Sequence, residues 1–179
     1  MKIKIEDIEL NYISEGQGKN VLVLHGWGAD INTVLSIVNL LKPHFKVYAL
    51  DLPGFGGSTE PKEVFGSEDY ARIVKKFIDK MDIKSVSLIG HSFGGKISIL
   101  LGAYYPEIVD KITLIDSAGL IPKRGWDYYL KVYSFKTLRF LYKTLFFWLK
   151  EHEKMERFYK AFGSRDYKDA EGIMRRVLV

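Results

Sequence analysis

Apolar positions follow two periods along this chain, and the alternation between them predicts its elements. Residues 2–5 and 9–15 read as two short strands, the second running into the turn Glu15-Gly16-Gln17-Gly18. Asn20–Leu24 and Phe45–Leu50 are nearly continuous apolar runs, as expected of strands covered on both faces. Ser85–Ile89 and Lys111–Ile115 are two further strands. Between them lie segments of helical period. Ile31–Leu41 opens at Asp30 as N-cap and closes at Pro43. A second helix starts with Ser67 as its cap and runs to about Met81, with Tyr70, Ile73, Val74, Phe77 and Ile78 on one face. A third, Lys96–Tyr105, is stopped by Pro106. Strands alternating with helices predict an α/β fold, a mainly parallel sheet with helices on both faces.

Ligands of such sheets bind beyond the carboxyl ends of the strands. The loops rich in Gly, Ser, His and Asp all fall there: 25–28, 51–58, 90–95 and 116–119. The most informative is the third. Residues 85–95, SVSLIGHSFGG, break from a β-branched run into Gly90-His91-Ser92-Phe93-Gly94 and enter a helical pattern. A serine on a strained strand-to-helix turn needs nearly bare neighbours two positions away, and Gly90 and Gly94 supply them. Ser92 then stands clear of the sheet at a helix N-terminus, where backbone N–H groups favour developing negative charge. The alternative is a serine that only caps the helix.

After Gly119 the strand pattern stops. Residues 126–162 read as helices, with Leu138, Leu141, Leu145 and Trp148 at helical spacing and Lys136, Arg139, Lys143 and Lys150 together on another face. Charge shifts at the same place. Residues 1–120 hold 13 Lys/Arg against 15 Asp/Glu, and residues 121–179 hold 14 against 7. The later segment also carries 14 of the 25 aromatic residues, so a second unit is expected from Ile121 onward. With no cysteine, disulfides and thiolate metal sites are excluded, and no cluster of ligands points to a metal or cofactor. The start MKIKIEDIEL has no signal-peptide core and no run of 18 apolar residues occurs, so the expected location is cytoplasmic. No motif points to nucleic acid. Association of 126–150 with a membrane surface is disfavoured, because a basic, aromatic helix packed over a pocket shows the same pattern.

Four motifs in order resemble the α/β-hydrolase family: His25-Gly26-Trp27-Gly28, Asp51-x-Pro53-Gly54-x-Gly56-x-Ser58, Gly90-His91-Ser92-Phe93-Gly94-Gly95 and Leu114-Ile115-Asp116-Ser117-Ala118-Gly119. The resemblance covers residues 1–120, which it makes a hydrolase core of six strands, with 121–179 as a helical cap. It implies a serine hydrolase of small ester, amide or related carbonyl substrates with an apolar body. Ser92 is then the nucleophile, and the backbone N–H groups of Trp27 and Phe93 form the oxyanion hole. His25 holds its loop. Family members with Asp at the nucleophile position, dehalogenases and epoxide hydrolases, are disfavoured by Ser92.

The resemblance also implies an acid after a seventh strand and a histidine after an eighth, and neither strand is read in these 179 residues. His91 adjoins the serine and is expected to point away from its hydroxyl; His44 lies at the opposite end of the sheet. His152, in a charged stretch, and Asp116 are minor candidates for base and acid, with Asp116 expected chiefly to bond within its own loop. The isolated chain is therefore expected to be largely inactive, and a non-catalytic binding or interaction module is the alternative. Strand 111–115 would present an open edge, and self-association through it is expected.

Overall fold

The computed structural model describes residues 1–120 and 125–145. They fall in two compact units that meet in the sequence at Leu120/Ile121. The first is built on six strands: β1 (Lys2–Ile5), β2 (Ile8–Glu15), β3 (Asn20–Leu24), β4 (Lys46–Leu50), β5 (Val86–His91) and β6 (Val109–Ile115). Their order across the sheet is β1-β2-β4-β3-β5-β6. β1 pairs antiparallel with β2 and β2 with β4, and the other pairings are parallel. The helices are α1 (Leu35–Leu41), α2 (Ser67–Lys80) and α3 (Phe93–Tyr104). The sheet is mixed, its parallel part carrying the crossover helices, as the α/β pattern requires.

The apolar runs at the centre have a direct cause. Leu22 and Leu24 of β3 and Tyr48 and Leu50 of β4 face a core shared with α2 and α3. Their neighbours Val21, Val23, Val47 and Ala49 face the opposite core, closed by Val34 and Val38. Both faces are covered, so the alternation of an exposed strand is absent. α2 contributes Tyr70, Ile73, Val74, Phe77 and Ile78, all fully buried, which is the face the spacing predicts.

Several boundaries move, each for a local reason. The stretch after Asp30 is not one helix: Ile31–Val34 is a 3-10 turn before α1. Asp30 caps it by accepting from the Asn32 N–H at 2.9 Å, but its carbonyl takes the Thr33 N–H at 3.1 Å, which tightens the turn. α2 is capped by Gly66, not Ser67, and the Asp69 carboxylate accepts the Gly66 N–H at 2.9 Å. β5 extends to His91 because Gly90 and His91 pair with Leu114 and Ile115. α3 starts at Phe93 rather than Lys96, directly after the serine.

Among the described residues β6 is the last strand of the sheet and pairs only with β5. Most of its side chains are exposed, including Ile112 and Ile115. In the second unit the described element is α4, Trp126–Leu145. Trp126, Leu130 and Tyr133 are exposed along it at helical spacing. Trp148, Lys150 and His152, and the helices read beyond residue 145, lie outside the described residues. No helix among the described residues is long and apolar enough to cross a membrane.

Candidate active site

The order β4-β3-β5 makes the gap between β3 and β5 the place where the chain's direction of travel across the sheet reverses, the switch point at which such sheets bind ligands. Register brings the loops together there. Leu24 pairs with Gly90 and His91 with Ile115, so the segments after residues 24, 91 and 115 leave the sheet side by side.

Ser92 follows β5 at φ +49° and ψ −110°, outside the comfortable regions for a side-chain-bearing residue. Such a conformation costs on the order of 1–3 kcal/mol and persists only where the surroundings impose it. Here the Ser92 N–H donates to the Ile115 carbonyl at 3.0 Å. The Ser92 carbonyl accepts from the N–H groups of Gly95 at 3.1 Å, Lys96 at 3.3 Å and Ala118 at 2.9 Å. The glycines make the bend possible. A methyl on Gly90 would lie 2.5 Å from the Gly94 carbonyl oxygen, and one on Gly94 2.3 Å from that of Leu24. Gly95 is crowded by a side chain instead, since a methyl there would fall on Ser117 Oγ. A side chain at 95 would thus have to displace Ser117, a constraint the pentapeptide alone does not convey.

Gly26 backs against the serine, since a methyl there would sit 3.4 Å from Ser92 Cβ and 3.0 Å from His91 Nδ1. The Gly94 N–H donates to the His25 carbonyl at 3.1 Å, tying the loop after β3 to the strand-to-helix elbow of residues 90–95. Among the described residues neither the Trp27 N–H nor the Phe93 N–H donates to an acceptor. Their rings meet edge to face at 5.1 Å, and Trp27 meets Phe55 at 4.9 Å. Trp27, Phe55 and Phe93 are all half-buried.

His25 is fully buried. Its Nε2 accepts the Leu52 N–H at 2.9 Å, which leaves Nδ1 to donate to the Gly26 carbonyl at 2.7 Å. Both ring nitrogens are used within the scaffold, and burial above all holds its pKa below the ordinary value. It is a neutral tie between loops. Asp51 is likewise buried, its carboxylate accepting from Ile31, Gly57 and Asn11. Sequence reading assigns nothing to Asn11, because its partnership with Asp51 depends on the antiparallel register of β2 on β4.

Among the described residues nothing is hydrogen-bonded to the Ser92 hydroxyl. His91 lies against Gly26 and His44 is exposed before β4. Asp116, at φ +45°, is exposed and accepts no hydrogen bond among the described residues. Its loop is held instead by Ser117 Oγ, which donates to the Ala118 carbonyl at 2.8 Å, and by the Ala118 N–H on Ser92. His152 lies outside the described residues. No group of acidic and histidine side chains that could hold a metal ion occurs among the described residues.

The sequence profile of the alpha/beta hydrolase fold matches residues 19–169. The pimeloyl-[acyl-carrier protein] methyl ester esterase of Vibrio campbellii is 35% identical over 118 residues, covering 65% of this chain and 44% of the esterase. The 2-hydroxy-6-oxo-6-(2'-aminophenyl)hexa-2,4-dienoic acid hydrolase of Metapseudomonas resinovorans is 30% identical over 118 residues, 64% of this chain and 41% of that enzyme. A solved membrane phospholipase A, described as a bacterial virulence factor, superposes with a TM-score of 0.69 at 31% identity, over 75% of this chain and 44% of that one. The chain therefore spans less than half the length of these relatives. With a profile match over most of its length and these strands and helices in this order, the chain belongs to the alpha/beta hydrolase fold family.

Proposed function

We propose that this protein is a serine hydrolase of small ester, amide or related carbonyl substrates, with Ser92 as nucleophile and the Trp27 and Phe93 N–H groups as oxyanion hole. The carrying observation is the strained Ser92, packed against Gly26 and followed by Phe93, with the N–H groups of Phe93 and of Trp27, next to Gly26, meeting no acceptor among the described residues. In acyl transfer the Ser92 oxygen adds to the carbonyl carbon, and the carbonyl oxygen becomes the anion those donors meet. Collapse expels the alcohol or amine and leaves an acyl-serine for water to cleave. One such donor supplies about 3–4 kcal/mol of transition-state stabilisation. The half-buried rings of Trp27, Phe55 and Phe93 favour an apolar group on the substrate.

The proton on Ser92 needs a base, and removing the histidine of a triad lowers turnover by about 10⁶. Because none is bonded to Ser92 among the described residues, the isolated chain should turn over esters slowly, and the same observation favours a second reading, a binding module that keeps the pocket without the chemistry. An alkyl fluorophosphonate in excess over hours separates the two. The hydrolase reading expects a single adduct on Ser92 that is lost in Ser92→Ala. A wild-type chain that stays unmodified supports the binding module.

A further inference from the structure

The segment Asp51–Ser58 takes no direct part in the chemistry above, yet its first residue is a buried charged side chain. A carboxylate removed from water is tolerable only when its oxygens are satisfied. Those of Asp51 are satisfied by three separate parts of the fold. Oδ1 accepts the Ile31 N–H at 2.7 Å, and Oδ2 accepts the Gly57 N–H at 2.8 Å and the Asn11 side-chain amide at 2.7 Å. The fit is tight, since a methyl on Gly56 would fall on the Asp51 carboxylate. Ile31 is the far end of the loop after β3, whose near end is tied by His25 to Leu52 and Gly94. Trp27 lies between these two clamps.

We propose that Asp51 is a positioning residue for the oxyanion hole: by fixing Ile31 against Gly57 and Asn11, it fixes the turn of residues 26–30 and so the direction of the Trp27 N–H. This inference rests on the serine-hydrolase reading of Ser92. Asp51→Asn is the same size but has one oxygen where two are needed. Its NH2 must face either Ile31 or the Gly57 and Asn11 donors, so one clamp is lost.

The test compares wild type, Asp51→Asn and Asn11→Ala with an ethyl fluorophosphonate. Ser92 Oγ bonds to phosphorus, the P–F bond breaks, fluoride leaves and the hydroxyl proton passes to solvent, which places the phosphoryl oxygen where an oxyanion would sit. Labelling rates come from intact mass, and backbone amide proton shifts of Trp27 and Phe93 from NMR of each adduct. With far-UV circular dichroism unchanged, Asp51→Asn should label slower by roughly tenfold or more. Its Trp27 amide should lose the downfield shift that the wild-type adduct shows, while that of Phe93 keeps it. A merely structural role would lower the melting temperature without this selectivity. Asn11→Ala, which removes one donor and leaves the carboxylate, should show the same selective effect in smaller degree, and it decides the matter if Asp51→Asn does not fold. Wild-type rates and an unchanged Trp27 shift in the folded variants would overturn the role of Asp51 alone. A wild-type chain unlabelled at Ser92 would overturn both it and the hydrolase reading.

Discussion

At the scale of single residues, the site is shaped by what its members lack. At Gly90, Gly94 and Gly95 the space of a side chain is already occupied, by Gly94 and Gly95, by the Leu24 and His25 backbone, and by Ser117 respectively. His25 lacks a free ring nitrogen, and that decides its role. A general base must keep a lone pair for the proton it takes, whereas Nε2 here holds the Leu52 N–H. The same burial makes His25 a source of pH dependence. The unfolded chain binds a proton at this residue near its ordinary value of 6.5, and the folded protein resists it to lower pH. Below about 6.5 the unfolded state therefore holds more protons, and stability falls as the pH drops through that window. Urea unfolding at about pH 7.5 and about pH 5.5 should show the loss. His25→Asn, less stable at both, should show a smaller difference between them, and an equal difference in the two proteins would remove His25 as the cause.

At the scale of elements, legibility in the sequence followed the distance over which each feature is determined. The elbow is legible because its requirements sit within six consecutive residues, Gly90 to Gly95. β3 and β4 are legible because burial on both faces leaves an unbroken apolar run. The Asp51–Asn11 pair is not, since 40 residues separate its members and only the β2–β4 register joins them. The 3-10 turn after Asp30 escaped for a related reason: the Ile31 N–H is taken by Asp51, a partner no local pattern announces. β6 carries its own prediction. Its outer edge has no partner strand among the described residues, and unpaired strand edges template association with another chain. Light scattering should show a mass rising above the 20.6 kDa monomer with concentration. Thr113→Lys, which puts a charge mid-strand on this edge, should hold the monomer. A wild-type chain that remains a monomer at high concentration would count against pairing through β6.

At the scale of the molecule, the first unit brings the loops that follow residues 24, 91 and 115 to one side of the sheet. Family and fold follow from that arrangement and from the profile match. The triad's base does not, because the candidate the sequence offers, His152, falls outside the described residues. The central claim is that Ser92, Trp27 and Phe93 form one reactive site, and a crystal structure of the fluorophosphonate-treated chain tests it most directly. The account predicts phosphorus bonded to Ser92 Oγ, with the phosphoryl oxygen about 2.7–3.1 Å from both the Trp27 and Phe93 nitrogens. An unmodified Ser92, or an adduct whose phosphoryl oxygen turns to solvent away from both donors, would contradict it.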